Sequence, residues 1–316
     1  MKTGPKILSV MLPSTAIVML GAGAVNYSSG ESEVRAMAEE HLDEVSVLTA
    51  REVSASLKSL RDELTWIARH PSVESMDWDM MSEYLSEVTE RSSERLTNLM
   101  VVERDGAYFF AGKGRVEGWT VADRKYYRDI MEGRSFSITD PDVSRVTGKM
   151  KYTLAVPIGG ADGTTAGCLA SNISLDILSG MLTDSKGTET GFRWVVDSRG
   201  YVIGSADKEL LLNYNLKEAS GKCEGMGSLM DAIGRRESGR GYMSLENGKR
   251  YFATCQPIGG TPGWALLSAV ADTRITSLAA GMIRRSLTAL CLVMIIAAAA
   301  VMMITREEGR KKRTEE

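Results

Sequence analysis

The sequence predicts an α+β protein in which a long N-terminal stalk helix leads into two related modules, each built on an antiparallel sheet, with a transmembrane helix at either end. Three observations carry this expectation. Apolar stretches stand near both ends of the chain, a segment without proline or glycine follows the first of them, and an internal repeat runs through the glycine-rich remainder.

Residues 7–25 are apolar or small, broken only by Ser9, Pro13, Ser14 and Thr15, and residues 286–304 (SLTALCLVMIIAAAAVMMI) carry no charge. A helix needs roughly 20 such residues to cross about 30 Å of hydrocarbon, so spans are expected over 7–25 and 282–304. Lys2 and Lys6 lie in the preceding segment 1–6, and Arg306, Arg310, Lys311, Lys312 and Arg313 lie in the basic tail 305–316. Positive residues stay on the cytoplasmic side, which puts both termini inside and everything between the spans outside. Arg284 and Arg285 oppose this but are outnumbered, and their long stems reach the interface. Ala22-Gly23-Ala24 offers a signal-peptidase site, yet the apolar run exceeds the usual h-region of about 7–15 residues, which favours an uncleaved anchor.

Composition narrows the function classes. The net charge is −3, from 38 basic and 41 acidic residues, and no basic patch stands out, so nucleic acid is not an expected partner. Cys291 lies in the second apolar stretch, leaving Cys168, Cys223 and Cys255 outside it. A Cys223–Cys255 disulfide stays open, and no C-x-x-C spacing asks for a metal; no cofactor is implied. An enzyme is not expected. His41 and His70 are the only imidazoles, and no G-x-S-x-G, H-E-x-x-H or P-loop spacing occurs. The dozen or so residues of the tail fall short of the roughly 50 a catalytic domain needs. That tail reads as a topology anchor, with a longer receptor as the alternative.

The stalk is expected over 26–70. Val53, Leu57, Leu60, Leu64 and Ile67 repeat at spacings of four, three, four and three, and Val34, Ala38, Leu42, Val45 and Leu48 extend the apolar face upstream. Pro71 ends the helix by pushing its predecessor out of helical geometry. The stripe either packs on its own domain or also meets a second copy, giving a homodimer through the stalk. A second helix is expected over about 77–95. After it the texture changes to short strands and glycine turns. Val101-Val102-Glu103-Arg104-Asp105-Gly106 is echoed by Val195-Val196-Asp197-Ser198-Arg199-Gly200, each followed by a second strand, which is a hairpin signature. Gly148-Lys149 through Pro157-Ile158-Gly159-Gly160 recurs as Gly248-Lys249 through Pro257-Ile258-Gly259-Gly260. The repeat divides the region into modules 71–182 and 183–281.

One ordered set of segments carries a resemblance. It runs Asp123-Arg124-Lys125-Tyr126-Tyr127, Ser137-Ile138-Thr139-Asp140-Pro141, Thr147-Gly148-Lys149, Ala155-Val156-Pro157-Ile158 and Asn172-Ile173-Ser174-Leu175-Asp176. In this order, behind a long helix and between two apolar stretches, the chain resembles the double Cache family of bacterial sensor ectodomains. The resemblance implies a tandem PAS-like fold, a stalk beside both modules, a small-molecule ligand in the membrane-distal one (71–182), dimers, and a displacement passed through the membrane. It also implies a bacterial inner-membrane location, an outer-side sensor and a cytoplasmic or membrane signalling partner.

In the amino-acid-binding branch of that family the pocket motif supplies an arginine, a Trp-Tyr pair, a tyrosine and two aspartates. Carried over residue by residue, the ligand site comprises Arg124, Tyr126, Tyr127, Asp142, Ser144 and Asn172. Tyr126 replaces the tryptophan, Asp142 the tyrosine, Ser144 the first aspartate and Asn172 the last. The two carboxylates that would hold an α-ammonium are missing, although Asp142 offers one from a different position, while the arginine that would hold a carboxylate survives. A guanidinium fork takes a carboxylate through two charge-assisted bonds, and the tyrosines offer hydroxyls and flat walls. The structural alternatives are an ion pair of Arg124 with Asp123, Asp129 or Asp140, and tyrosines buried as core. Asp140-Pro141 reads as a turn, so Asp140 shapes a loop. Trp264 and Tyr251 in the second module read as core. A ligand-free structural or partner-binding membrane protein is the alternative function.

Overall fold

The structure, a computed structural model, describes residues 4–91, 96, 98–143, 148–160, 163–182 and 191–277, with scattered positions from 280 to 306; side chains are described from residue 32 onward. Helix α1 (Gly4–Ala68) is the expected stalk. His70, at φ −68° and ψ 135°, leaves helical geometry as the residue before proline must. It caps α2 (Pro71–Glu74), its Nδ1 accepting from the Ser72 N–H at 3.3 Å, and its ring stacks on Tyr84 at 3.7 Å. One of the chain's two imidazoles is thus a capping and packing group. Helix α3 (Trp78–Arg91) follows. Among the described residues no helix is long and apolar enough to cross a membrane. The spans expected at 7–25 and 282–304 fall on residues whose side chains lie wholly or partly outside that description.

Two compact units emerge. In the smaller, residues 1–41 and 272–316, Arg35 donates to Asp272 at 2.7 Å. The larger, Leu42–Ala271, holds two antiparallel sheets. The first contains β1 (Leu99–Glu103), β2 (Tyr108–Phe110), β3 (Gly114–Arg115), β4 (Ser137–Ile138), β5 (Asp142–Val143), β6 (Met150–Gly159) and β7 (Thr165–Ser174). Its order is β3-β2-β1-β7-β6-β4, with β5 also on β6. The second contains β8 (Gly191–Val196), β9 (Val202–Gly204), β10 (Gly239–Ser244), β11 (Arg250–Pro257) and β12 (Ala265–Ala271), in the order β10-β11-β12-β8-β9. The core path β2-β1-β7-β6 matches β9-β8-β12-β11 strand for strand, and Pro157 lies opposite Cys168 as Pro257 lies opposite Ala265. The repeat seen in the sequence is therefore a repeat of pairing and register. Further helices among the described residues include α4 (Lys125–Met131), α5 (Leu175–Gly180), α6 (Leu216–Ala219) and α7 (Met226–Arg235).

Each sheet has two faces because side chains alternate along a strand. On the first sheet Tyr152, Leu154, Val156 and Ile158 join the α1 stripe in the main core. Val53, Leu57, Leu60, Leu64 and Ile67 are each no more than 2 % exposed, so the stripe is buried within its own chain rather than left for a second copy. The upstream continuation differs from expectation, since Leu48 is 63 % exposed. The buried line runs instead through Ser46, Thr49 and Ala50 to Val53. The reason is the second sheet's polar face. There Asp43 accepts from Thr254 Oγ1 at 2.8 Å and Gln256 Nε2 at 2.9 Å, and Ser238 donates to Gln256 at 2.7 Å. A polar sheet face selects small and polar helix residues, because buried polar groups need partners.

The sheets are tied together by the segment before β5. Asp140 is no simple turn residue: its carboxylate accepts from Ser198 Oγ at 2.6 Å and from the Trp264 indole N–H at 2.9 Å. Arg199 donates to the Pro141 carbonyl at 2.7 Å, and the Tyr152 and Trp264 rings meet edge to face at 5.3 Å. Trp264 and Tyr251 are core, as expected. Cys168, Cys223, Cys255 and Cys291 are all free thiols, so the Cys223–Cys255 pair is not bridged.

Two expectations follow from this packing. Leu64→Ala costs about 2–5 kcal/mol of unfolding free energy, and Leu48→Ala changes it by less than about 0.5 kcal/mol, both read by urea titration. Asp140→Ala leaves the buried Trp264 N–H without its acceptor. It costs about 1–3 kcal/mol and perturbs tryptophan emission, whereas the exposed variant Glu117→Ala does neither.

Candidate functional site

The other face of the first sheet is covered by α4. The chain enters this helix over Gly106, whose carbonyl accepts from the Val121 N–H at 3.0 Å and from Thr120 Oγ1 at 3.1 Å. Gly106 has φ +86°, and a Cβ there would lie 2.5 Å from Thr120 Oγ1, so only glycine fits. Arg124 occupies the N-cap position at φ −79° and ψ 138°, using no side-chain cap, which leaves its guanidinium for other work. Tyr126, Tyr127 and Ile130 point at the sheet, where Met100, Val102, Ala155, Cys168 and Ala170 form a second, smaller core with them.

Of the site residues expected from sequence, four are joined in one polar chain or adjoin it. Arg124 Nη1 stands 4.0 Å from Asp142 Oδ2, and Arg124 Nε 3.9 Å from Asp123 Oδ1. Neither distance is a hydrogen bond, so these carboxylates do not consume the donors of the fork. Asp142 Oδ1 accepts from Lys151 Nζ at 2.9 Å. Lys151 also reaches Thr153 Oγ1 at 3.4 Å, and Thr153 donates to Asn172 Oδ1 at 3.0 Å. Tyr126 is buried beside Arg124. Burial pushes its hydroxyl well above the ordinary phenol range, Cys168 adds to that, and the Arg124 charge pulls the other way. Tyr126 is therefore a neutral hydroxyl at any physiological pH. Burial likewise pushes the Cys168 thiol up to about 12, so it packs as an unreactive group.

Tyr127 stands apart from this chain. Its hydroxyl donates to the Arg104 carbonyl at 2.7 Å, so it serves the β1–β2 turn and the small core. Ser144 lies outside the described residues. Lys151 and Thr153 were not among the expected site residues. Their signal was present in β6, where they break an otherwise apolar run on one face, at positions the repeat fills with Tyr251 and Ala253. Asn172 likewise aligns with Ala269. On the second sheet that face is closed by aromatic and aliphatic side chains, with Phe192 stacked on Trp194 at 3.9 Å and α7 laid over Cys255.

The alternative ion pairs for Arg124 resolve individually. Asp140 belongs to the tie between the sheets. Asp129 belongs to a separate cluster, accepting from Lys125 Nζ and Ser137 Oγ, both at 2.6 Å, with Arg134 Nε at 3.6 Å. These residues line a cleft of about 450 Å³ that also touches Arg236 and Thr261 and shares no residue with the polar chain. Burial raises the Asp129 carboxyl, but the bonds from Lys125 and Ser137 and the charges of Lys125 and Arg134 outweigh it, leaving the group below its ordinary value. A lowered folded pKa stabilises above the unfolded pKa and is lost as pH falls through the folded one. Asp129→Asn should therefore lower the melting temperature at neutral pH and lose less of it than wild type from about pH 4 downward. A parallel pair of curves would count against the cluster as a source of acid sensitivity.

Comparison with known proteins matches this architecture. Among solved structures, the ligand-binding domain of Pseudomonas fluorescens chemoreceptor CtaA, in complex with L-isoleucine, is similar with a TM-score of 0.62 and 18 % identity, covering 78 % of this chain and 98 % of its own. The extracellular domain of mmHK1S-Z2, named as a histidine kinase, is similar with a TM-score of 0.62 and 14 % identity, covering 76 % and 99 %. The ligand-binding domain of the Pseudomonas aeruginosa PAO1 amino acid chemoreceptor PctC, in complex with GABA, has a TM-score of 0.59 and 21 % identity, covering 74 % and 100 %. Likeness at these identities shows the fold. The family model of the Cache domain, in its double (dCache) form, matches residues 30–279. Most of the chain lies within that match, and the chain belongs to the Cache domain family, whose members here are sensor ligand-binding domains of chemoreceptors and sensor kinases.

Proposed function

We propose that this protein is a membrane-anchored extracytoplasmic sensor that binds a small carboxylate or amino-acid-like ligand on the α4 face of the first sheet and signals across the membrane. One observation carries the reading. Lys151, Thr153 and Asn172 form a polar line that meets Arg124 through Asp142, at positions that module 183–281 fills with Tyr251, Ala253 and Ala269. A polar line on one of two equivalent faces offers a ligand charge and hydrogen bonds that the apolar face of the other module does not. Arg124 takes the ligand carboxylate, Tyr126 walls the site, Ser144 and Asn172 read its other end, and Asp142 stands between the cations Arg124 and Lys151, with Tyr127 supporting from behind.

The membrane part of the reading rests on spans at 7–25 and 282–304, with both termini cytoplasmic. Leu292, Ile295 and Met303 are 60–72 % exposed in an uncharged stretch, a surface that suits lipid rather than water. Module 71–182 is then membrane-distal and module 183–281 membrane-proximal. A homodimer, where it forms, uses the outward face of the stalk, along which Leu48 and Trp66 are exposed. The ligand acts by preferring one arrangement of the first module, and the output goes to a cytoplasmic or membrane partner rather than to catalysis in this chain.

A thermal-shift screen of small carboxylates and amino acids tests the reading. A ligand at 100 times its dissociation constant should add about 2.7 kcal/mol of stability. Arg124→Ala should abolish that gain and leave the unliganded melting temperature unchanged, because the guanidinium makes no hydrogen bond to Asp123 or Asp142. Undiminished binding in this folded variant would refute the site.

A further inference from the structure

Lys151 changes what the site can accept, and this step rests on the reading just given. Its side chain is only 20 % exposed, and its ammonium is bonded to Asp142 at 2.9 Å and close to Thr153 at 3.4 Å. Arg124 approaches the other oxygen of the same carboxylate at 4.0 Å. Two cations therefore converge on Asp142, which is half exposed on the short edge strand β5. An amino acid bound through its carboxylate at Arg124 would need an anionic cradle for its ammonium. The carboxylate offered for that task is already held by a lysine, whose charge repels a second ammonium. A second anionic group on the ligand meets no such conflict.

We propose that the ligand is a small dianion of the short-chain dicarboxylate class, with one carboxylate on Arg124 and the other on Lys151. Asp142 acts as an internal stand-in that the ligand displaces from between the two cations. The neutral donors and acceptors of Thr153 and Asn172 then face the carbon backbone and any hydroxyl on it. Tyr126, neutral and buried next to Arg124, gives the site an apolar wall that excludes longer or doubly branched chains. A single positive group at this end would fit a monocarboxylate equally well; the second one is what selects a dianion.

Calorimetric titration of the full chain in detergent, with succinate, butyrate and L-alanine as probes, decides the matter. Succinate should bind at least tenfold more tightly than either of the others. Lys151→Met should remove that preference while leaving butyrate affinity within twofold, and Lys151→Arg should retain it, which controls for folding. Asp142→Asn, on an exposed edge, should tighten succinate by removing the competitor. L-Alanine binding more tightly than succinate, with loss in Arg124→Ala, overturns the dianion and keeps the sensor reading. Succinate affinity unchanged in folded Lys151→Met, or weakened in Asp142→Asn, overturns the role of Lys151 and the stand-in respectively. Absence of binding by every probe to wild type and to Asp142→Asn overturns the inference and the carboxylate site beneath it together.

Discussion

The burial of one helix face against two sheets in succession is the constraint on which the rest of this molecule depends. From Asp43 to Ile67, α1 supplies a side chain to the core of each sheet in turn. It meets the second sheet through Asp43, and its Leu57, Leu60 and Leu64 share the main core with Tyr152, Leu154 and Val156 of the first. Neither sheet could bury that face on its own hairpins, because sheets this small need a partner layer. Once the helix occupies one face of each sheet, only the opposite face remains for α4 in the first case and α7 in the second. The candidate site is where it is because the stalk has taken the other side.

The two modules use the same pairing with inverted polarity. The stalk face of the first is apolar, with Leu154 and Val156 where the second has Thr254 and Gln256. The outer face of the first is polar at Lys151, Thr153 and Asn172, and that of the second is filled by Phe192, Trp194, Tyr251 and Leu267. Duplication thus left one scaffold with two arrangements of polar groups. One module keeps polar groups facing outward under α4, where a ligand is proposed to bind. The other turns them toward the helix, where Asp43 fixes its register by directed hydrogen bonds rather than by slippery apolar contact.

Much of this was legible in the residues. The stripe Val53–Leu57–Leu60–Leu64–Ile67, the end of the stalk before Pro71, the paired hairpins and the recurring Gly-Lys to Gly-Gly segment each follow from periodicity and turn chemistry, and each appears in the fold. What was not legible has one cause. Apolar periodicity finds a helix face only where the partner surface is apolar. Leu48 was therefore assigned to the buried face, when the polar second sheet selects Ser46 and Thr49 instead. The same blindness hid Lys151, a lysine in a strand that a pattern reader takes for a solvent position. Comparison of Lys151 with Tyr251, which the repeat allows, is the signal that was there to be used. Tyr127 shows the converse limit, since an aromatic beside an arginine reads alike whether its hydroxyl faces a ligand or, as here, a backbone carbonyl.

Three consecutive residues connect the proposed site to the second module. Asp142 sits between Lys151 and Arg124, Pro141 offers its carbonyl to Arg199, and Asp140 holds Ser198 and Trp264. Proline fixes φ at the middle residue, which removes one backbone freedom from the segment that carries all three contacts. Trp264, to which Asp140 is bonded, is fully packed and meets Tyr152 across the two sheets. Close-packed interiors leave no slack around such a contact. Trp264 immediately precedes β12, the strand that ends at Ala271. Three consecutive residues thus join the polar chain under α4 to the second sheet by hydrogen bonds, around a proline that the sequence alone presented only as a turn.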